Sequence, residues 1–200
     1  MTLFRYEIPL SITLISPFAT RGLIVDRASI DLPLARNRDK QLILPGTLIT
    51  GILRAALARL AEAVPGDVPL GNETRPLIED VAALFGDGSK KDQRAEQAAW
   101  RVHNEPNRGQ LAIRDLVILA KDWEEKRIMD RQDYPRIQID EKLGSVREGF
   151  LQFVEMPFAI GREVTFEGII DLKRGTVGPD RAVALLNKAL ALVPALGAIK

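Results

Sequence analysis

Residues 30–54 combine an acidic side chain, several arginines and a helix start made of small residues. Asp31 is the acid, and the run Pro45-Gly46-Thr47-Leu48-Ile49-Thr50-Gly51 leads to Arg54. Small residues in the first turn of a helix allow another backbone, such as a chain of phosphates, to approach the unpaired amides there. An Asp with arginines nearby suits a site where a polyanion is held and one bond is attacked, although Asp and Pro are also ordinary loop residues.

Composition excludes several other kinds of site. The 200 residues include no Cys and one His, His103, which excludes disulfides and thiolate metal sites and argues against a His-based triad. With 46% hydrophobic residues, the chain is able to form a sizeable core. No apolar run reaches the length of a membrane span, and the start Met1-Thr2-Leu3-Phe4-Arg5 has no signal-peptide pattern. These features indicate a soluble, cytoplasmic protein with no membrane partner.

The overall charge gives little support for nucleic-acid binding, but its distribution gives more. The chain carries 28 Lys and Arg against 27 Asp and Glu, whereas nucleic-acid-binding proteins usually have a basic surplus. Residues 1–60 hold eight basic and four acidic side chains, a net charge of +4. A solvated surface of mixed charge is the alternative interpretation of this segment.

Hydrophobic periodicity predicts the elements of the first half. Apolar residues at every second position predict a strand at Phe4–Leu14, and helical spacing predicts helices at about 47–63 and at Leu77–Phe85, the latter ended by Gly86. Residues 16–45 form a polar connection that is long enough to suggest a function.

The second half alternates between strands and one helix. Strands are predicted at Gln110–Leu119, Phe150–Met156 and Val164–Leu172, and the charge-dense residues 121–149 are predicted to form an exposed hairpin. Pro179 suits the first turn of a last helix. The predicted apolar stripe of that helix comprises Val183, Leu186, Ala189, Leu190 and Val193.

This element order predicts an α+β fold of the ferredoxin-like or RRM-like class. Two helices would cover one face of an antiparallel sheet, with the Phe4–Leu14 strand in a central position. The plan requires a further strand after the last helix, and residues 195–200 are too few to form it. We therefore expect the final strand to lie beyond residue 200 or to come from a neighbouring segment, because an unfinished sheet exposes unpaired backbone groups.

Four ordered stretches resemble the RAMP (repeat-associated mysterious protein) superfamily, and within it the backbone subunit of type III CRISPR effector complexes. They cover most of the chain, and their ordered combination is more specific than any one of them. They are Ile30-Asp31-Leu32-Pro33 with Pro45-Gly46, Gly51 and Arg54; Leu84-Phe85-Gly86; Arg108-Gly109-Gln110-Leu111 with Asp115; and Ile139-Asp140 with Gly144, Gly149, Glu155 and Phe166.

The resemblance implies a single RAMP domain over residues 1–200, with residues 121–149 as a projecting thumb. Such subunits assemble with other RAMP subunits along a guide RNA and pair it with a target RNA. An acid in the long loop after the first strand directs endoribonuclease cleavage of the target beside each thumb. By its Asp-x-Pro pattern and its distance from Pro45-Gly46 the matching acid is Asp31, and Asp26 is a nearby competitor.

The resemblance also implies RNA contacts and shows where this chain departs from the pattern. The implied RNA-binding residues are Arg21, Arg36, Arg38, Gly46, Thr47, Thr50, Arg54, Arg136 and Arg147. Thr50 stands where relatives usually carry a Lys, so arginines would have to supply the phosphate contacts. Thr20-Arg21-Gly22 replaces a His-containing turn, and the glycine-rich loop expected after the last helix is absent.

Asp31 also has a chemical rationale for cutting RNA. A carboxylate can act as general base for attack by the RNA's own 2′-hydroxyl, or hold a divalent metal such as magnesium that does so. Because a single carboxylate is a sparse site, most of the effect would come from positioning and from nearby arginines. The alternative is that Asp31 caps the turn at Leu32-Pro33.

Several alternatives stay open. His103 is interpreted as a solvated imidazole, and Arg54 either contacts phosphate or lies along its own helix. The aromatic residues Trp100, Trp123, Tyr134 and Phe150 either stack on bases or pack onto the sheet. For the whole chain, the alternative to a nuclease is a non-catalytic RAMP subunit that caps or extends the guide-bound filament. A generic ferredoxin-like RNA-binding module is a more distant interpretation.

Overall fold

The computed structural model of the chain describes residues 5–15, 34–86, 109–122, 132–137, 139, 145, 151–156 and 163–193. Contacts divide the chain into two compact units. The first contains Met1–Pro9, Gly46–Arg114 and Ile169–Pro194, and the second contains Leu10–Pro45, Asp115–Gly168 and Ala195–Lys200.

In chain order the elements are β1 (Arg5–Leu14), β2 (Ile43–Leu44), α1 (Gly46–Ala63), β3 (Asp67–Leu70), β4 (Glu73–Pro76), α2 (Leu77–Phe85), β5 (Leu111–Ile113), β6 (Leu116–Ile118), β7 (Gln132–Arg136), β8 (Gln152–Met156), β9 (Val164–Lys173) and α3 (Pro179–Ala191).

The main sheet has the strand order β1-β9-β6-β2, with β5 also paired to β9. The pairs β2–β6, β5–β9 and β6–β9 are antiparallel. Over the described ranges, this antiparallel sheet with helices α1, α2 and α3 confirms the predicted α+β, ferredoxin-like class.

The strand predicted at Gln110–Leu119 is divided into β5 and β6. Ile113 pairs with Ile170 and Val117 with Glu167, so three residues of the divided strand face two residues of β9. The extra residue is a β-bulge, which interrupts the ladder at Arg114-Asp115. Periodicity alone did not indicate this interruption.

The central position predicted for Phe4–Leu14 is wrong for the described residues, where β1 stands at one end of the strand order and β9 is interior. The predicted alternation itself is present. Leu10 is buried and Ile8, Ile12 and Leu14 are half-buried, whereas every odd-numbered residue of β1 is exposed. A strand with one apolar face fits the edge of a sheet as well as its centre. The pattern therefore predicted which face of β1 is buried but not the place of β1 in the strand order.

In the first unit, α1 packs against α2, α3 and β5. Its buried side includes Ile49, Leu53, Ala56 and Leu57, which recur at helical spacing. The stripe predicted for α3 is partly wrong, since Val183 is exposed and Arg181 faces inward. The side chains that are almost completely buried in this unit are Ile49, Leu53, Leu57, Leu84, Ile170, Leu172 and Leu185.

In the second unit, the nearly inaccessible side chains are Leu34, Leu44, Leu116, Val164 and Phe166. Strand β7, inside the excursion predicted at residues 121–149, pairs antiparallel with β8, with Pro135 opposite Phe153. One strand of this pair lies within the predicted thumb, and the other, β8, corresponds to the strand predicted at Phe150–Met156. Most of that excursion and residues 194–200, next to the expected missing strand, lie outside the described residues.

Candidate nucleic-acid interface

Helix α1 begins directly after Pro45 and has no acidic residue in its first turn. The positive end of its dipole is therefore not offset by a carboxylate of the same turn. The Thr50 hydroxyl donates a hydrogen bond of 2.7 Å to the Gly46 carbonyl oxygen one turn earlier. This bond uses the hydroxyl proton within the helix, so Thr50 has only its oxygen lone pairs left and cannot donate to a phosphate without breaking it.

Gly46 is explained by packing rather than by room for RNA. A Cβ at this position would lie 2.1 Å from the Ile113 carbonyl oxygen and 2.9 Å from the Arg114 carbonyl carbon. The start of α1 thus contacts the end of β5 backbone to backbone, and only glycine permits that approach. Gly46 is also buried, so it offers no surface to a phosphate chain as it stands.

Gly51 is different, because a Cβ built there would meet nothing within 4 Å. Thr47, Gly51 and Arg54 are exposed, and their spacing of four and three residues places them on one side of α1. We call these three residues the α1 face. In the described part of the chain, Arg54 has no ion pair, so its guanidinium is available to an anion.

In the second unit, Arg36 is held by protein contacts. Its guanidinium forms an ion pair with Glu155, and the two side chains are each only 9% exposed. A second guanidinium nitrogen donates to the Lys40 carbonyl oxygen at 3.3 Å. The structure therefore places Arg36 among partners of its own unit rather than on an open surface.

Arg38 lies in a tight turn that follows Arg36. The turn is closed by Asn37, whose side-chain oxygen accepts the Gln41 amide proton at 2.9 Å, and Lys40 adopts a left-handed φ of 63°. Arg38 and Lys40 are both exposed, with Asp39 between them. The turn therefore presents two cations to solvent. Lys40 was not among the predicted RNA contacts, although its place one residue past Asp39 in a basic loop was visible in the sequence.

Arg136 lies at the end of β7, opposite Gln152 of β8, and is half-buried. The strand pair thus carries a cation within the residues predicted to form the thumb. Tyr134 is on the same strand, with its side chain outside the described part.

A charged cluster on the sheet of the first unit escaped the sequence analysis. Arg114 donates to both carboxylate oxygens of Asp171, at 3.0 and 3.1 Å, and to Glu7 at 3.1 Å. Arg5 also pairs with Asp171 and Glu7. Two cations and two anions neutralise each other, so the cluster adds no net positive charge for RNA. In the sequence, this cluster was indicated by the opposite charges of Arg5 and Glu7 at alternate positions of β1.

Four of the predicted site residues lie outside the described residues: Asp31, its competitor Asp26, Arg21 and Arg147. His103, Trp100, Trp123 and Phe150 lie there too. Within the described ranges, no group of three or more His, Asp and Glu side chains could hold a metal ion. The described residues by themselves therefore do not fit a metal centre.

A comparison with protein-family models matches the RAMP superfamily over residues 11–199, nearly the whole chain. The chain belongs to the RAMP superfamily. RAMP proteins are CRISPR-associated, bind RNA and act in multi-subunit complexes, and some members of the superfamily are ribonucleases. This RAMP protein is therefore a CRISPR-associated RNA-binding protein. No curated protein sequence matches it significantly.

Across the ranges that the structure describes, no helix of this RAMP protein has the length and apolar composition needed to cross a membrane.

Proposed function

We propose that this RAMP protein is a guide-RNA-binding backbone subunit of a cytoplasmic type III CRISPR ribonucleoprotein. In that role it is an endoribonuclease that cleaves complementary target RNA beside its thumb, with Asp31 as the catalytic residue. Its partners are the guide RNA, the target RNA and the other RAMP subunits of the complex.

One hydrogen bond supports a role for this protein that is more specific than membership of the family. The Leu34 amide donates a 3.0 Å hydrogen bond to Glu155 of β8, and β8 pairs with β7, which lies within the residues predicted to form the thumb. Leu34 follows Asp31 by three residues in the sequence. This contact supports the proposal, because it joins a residue close to Asp31 in the sequence to the strand that pairs with β7.

The guide would bind the α1 face. Arg54 supplies a cation with no ion pair among the described residues, Gly51 leaves room for a sugar–phosphate backbone, and Thr47 offers a hydroxyl. Such contacts hold a nucleic acid in register without reading its sequence. Roles in RNA binding for Arg38 and Arg136 of the second unit, and for Arg21 and Arg147, stay predictions.

The proposed reaction is an internal transfer within the target RNA. The Asp31 carboxylate accepts the proton of a 2′-hydroxyl, whose oxygen bonds to the neighbouring phosphorus. The bond from phosphorus to the 5′-oxygen then breaks, and that oxygen takes up a proton from solvent. The products are a 2′,3′-cyclic phosphate and a 5′-hydroxyl. Nearby arginines would stabilise the charge that develops on the phosphate.

The decisive test is Asp31→Ala in the reconstituted complex, with Asp26→Ala as the matched control. We expect Asp31→Ala to abolish target cleavage and to leave guide and target binding nearly unchanged, because removal of one acid does not weaken phosphate contacts. A target with a single 2′-deoxynucleotide at the cut site should also resist the wild-type complex. Normal cutting by Asp31→Ala contradicts the proposal, and loss of cutting in Asp26→Ala alone transfers the role to Asp26.

A non-catalytic subunit that caps or extends the guide-bound filament is the second candidate. The observation that favours it is Thr50, which replaces the usual Lys and whose hydroxyl proton is used within α1. That candidate predicts guide binding with no target cleavage in the wild-type complex.

A further inference from the structure

The side chain of Gln110 fixes the β9–α3 loop, by which we mean residues 173–178. Its amide nitrogen donates to the carbonyl oxygens of Lys173 and Val177, at 3.1 and 3.2 Å. Its amide oxygen accepts from the Val177 amide at 3.0 Å and from the Thr176 hydroxyl at 3.3 Å. Gln110 is buried, and all of these residues belong to the first unit. One side chain thus gives its full capacity of two donors and two acceptor sites to a single loop.

Further contacts hold the same loop. The Lys173 amide donates to the Gln110 carbonyl oxygen at 2.9 Å, and Arg75 of β4 donates to the Thr176 carbonyl oxygen, also at 2.9 Å. A Cβ at Gly175 would lie 2.3 Å from Gln110 Cδ, so the loop backbone passes directly over the Gln110 side chain. Connecting segments are usually more mobile than the elements they join. This one is held at its start, its middle and its end.

The loop presents donors of hydrogen bonds and positive charge to solvent. Lys173 and Arg174 are exposed, and in the described part of the chain neither forms an ion pair. Among the same residues, the backbone amides of Arg174, Gly175 and Thr176 have no hydrogen-bond acceptor. Two guanidinium or ammonium groups and three amides are therefore available to an anion.

The acids nearest in the sequence do not cancel these cations. Asp171 is already paired with Arg114 and Arg5. Asp180 is exposed in the first turn of α3, and within the described ranges it pairs with neither Lys173 nor Arg174. Two cations thus stand against one unpaired carboxylate, which leaves the loop positive.

Phosphate is the anion that this arrangement fits. Lys and Arg side chains and backbone amides are the groups that contact phosphates in nucleic-acid complexes. A loop that is ordered before binding loses less conformational freedom when the ligand binds. Because RAMP proteins bind RNA, the phosphates are those of an RNA strand.

We propose that the β9–α3 loop is a further RNA-binding site, in which Lys173 and Arg174 contact backbone phosphates and Gln110 is a positioning residue that holds the loop. This inference requires neither cleavage nor RNA binding by the α1 face. It also gives a role to Gln110, which lies in one of the four stretches that resemble the family and has no part in the proposed function.

The first test measures the binding of a guide-length single-stranded RNA to the full chain at several salt concentrations. Lys173→Gln combined with Arg174→Gln should lower the slope of log K against log salt by about 1.4, the value for two phosphate contacts on a single strand. Arg59→Gln combined with Lys188→Gln is the matched control, because it removes the same charge from exposed positions of α1 and α3. Equal slopes for the two double variants would overturn the inference.

The second test separates the positioning role of Gln110 from charge. Gln110→Met keeps a side chain of similar length and both cations but removes the four hydrogen bonds. We expect RNA affinity to fall about 3- to 10-fold with the salt slope unchanged, because the loop must then be ordered on binding. Thr176→Val removes one of the four bonds and should give a smaller loss in the same direction. Thermal unfolding identifies the variants that are folded, and wild-type affinity in folded Gln110→Met, or in Thr176→Val if Gln110→Met does not fold, refutes the positioning role.

A third test, in the reconstituted complex, identifies the strand that the loop contacts. A loss of guide binding in the Lys173→Gln, Arg174→Gln variant assigns the loop to the guide, and a loss of target binding alone assigns it to the target. Normal binding of both RNAs with impaired subunit assembly would identify an acidic protein surface as the ligand and overturn the inference. Asp31→Ala and Arg54→Ala leave the loop intact, so failure of the proposed function and failure of this inference are distinguishable.

Discussion

The guanidinium of Arg181 on α3 forms a forked hydrogen-bonded pair with the carboxylate of Asp80 on α2. Arg181 Nε lies 3.0 Å and Nη2 2.6 Å from Asp80 Oδ2, and the two side chains are 2% and 1% exposed. Nη1 also donates to the Glu73 carbonyl oxygen at 2.8 Å and Nη2 to that of Arg75 at 3.2 Å. One side chain thus joins α3 to α2 and to strand β4.

The hydrogen bond to Asp80 raises the pKa of Arg181 above the usual value for Arg, although burial acts in the opposite direction. A raised pKa means that this stabilisation is fully present below the usual pKa of Arg and is lost only as the pH rises above it. Arg181 therefore keeps its charge over the whole pH range in which the protein would be assayed.

We expect Asp80→Asn to lower the free energy of unfolding by about 3 kcal/mol, because it leaves the buried Arg181 charge without its carboxylate. Urea denaturation measures this change. Glu7→Gln is the matched control, since Glu7 pairs with Arg114 but its side chain is 57% exposed, and exposed pairs contribute roughly 0–1 kcal/mol. Equal losses in the two variants would contradict the prediction.

Two glycines of α1 should respond oppositely to alanine. Gly46→Ala should destabilise the protein by about 1–3 kcal/mol, because its Cβ would overlap the Ile113 carbonyl. Gly51→Ala should stabilise it by roughly 0.5–1 kcal/mol, since alanine favours the helix and the space there is open. Thermal unfolding of both variants gives the comparison, and a stabilising Gly46→Ala would show that α1 does not pack as described.

The α1 face can be tested by the salt dependence of guide binding. Arg54→Ala should weaken binding and lower the slope of log K against log salt by about 0.7, the value for one phosphate contact on a single strand. Arg59→Ala is the control, because Arg59 is also exposed on α1 but lies more than a turn further from its start. Equal slopes for Arg54→Ala and the wild type would remove Arg54 from the interface.

Chelation separates the two roles open to Asp31, a direct base or a ligand of a magnesium ion. If the ion takes part, excess EDTA should suppress target cleavage and added magnesium should restore it, with guide binding measured in parallel to confirm that the complex remains assembled. Undiminished cutting in EDTA would exclude a metal from the mechanism and leave Asp31 as a direct base.

The fold was predictable where apolar spacing dominates. Helix Leu77–Phe85 and its end at Gly86 were predicted to the residue, and Pro179 begins α3. Strand β2 has only two residues and β3–β4 only four each, so their pairing depends on tertiary partners and leaves no periodic signal. The inward position of Arg181 was missed for a related reason, because a buried Arg needs an acid that lies 101 residues away in the sequence.

The candidate site was predictable in kind but not in detail. Periodicity and turn residues predicted where α1 starts and that Arg54 lies on it. They did not show that a side chain at position 46 would overlap the protein whereas one at position 51 would not, because this difference depends on the backbone of Ile113. The buried contacts of Glu155 likewise depend on Leu34 and Arg36, which are 121 and 119 residues away in the sequence.

The contrast between the two glycines has a consequence for how the subunit can diversify. A side chain at position 46 would overlap the backbone of Ile113 and Arg114, so this position tolerates almost no variation, whereas positions 47, 51 and 54 are exposed. A library randomised at these three exposed positions should therefore yield folded variants that differ mainly in how tightly they hold RNA. The same library at position 46 should return glycine.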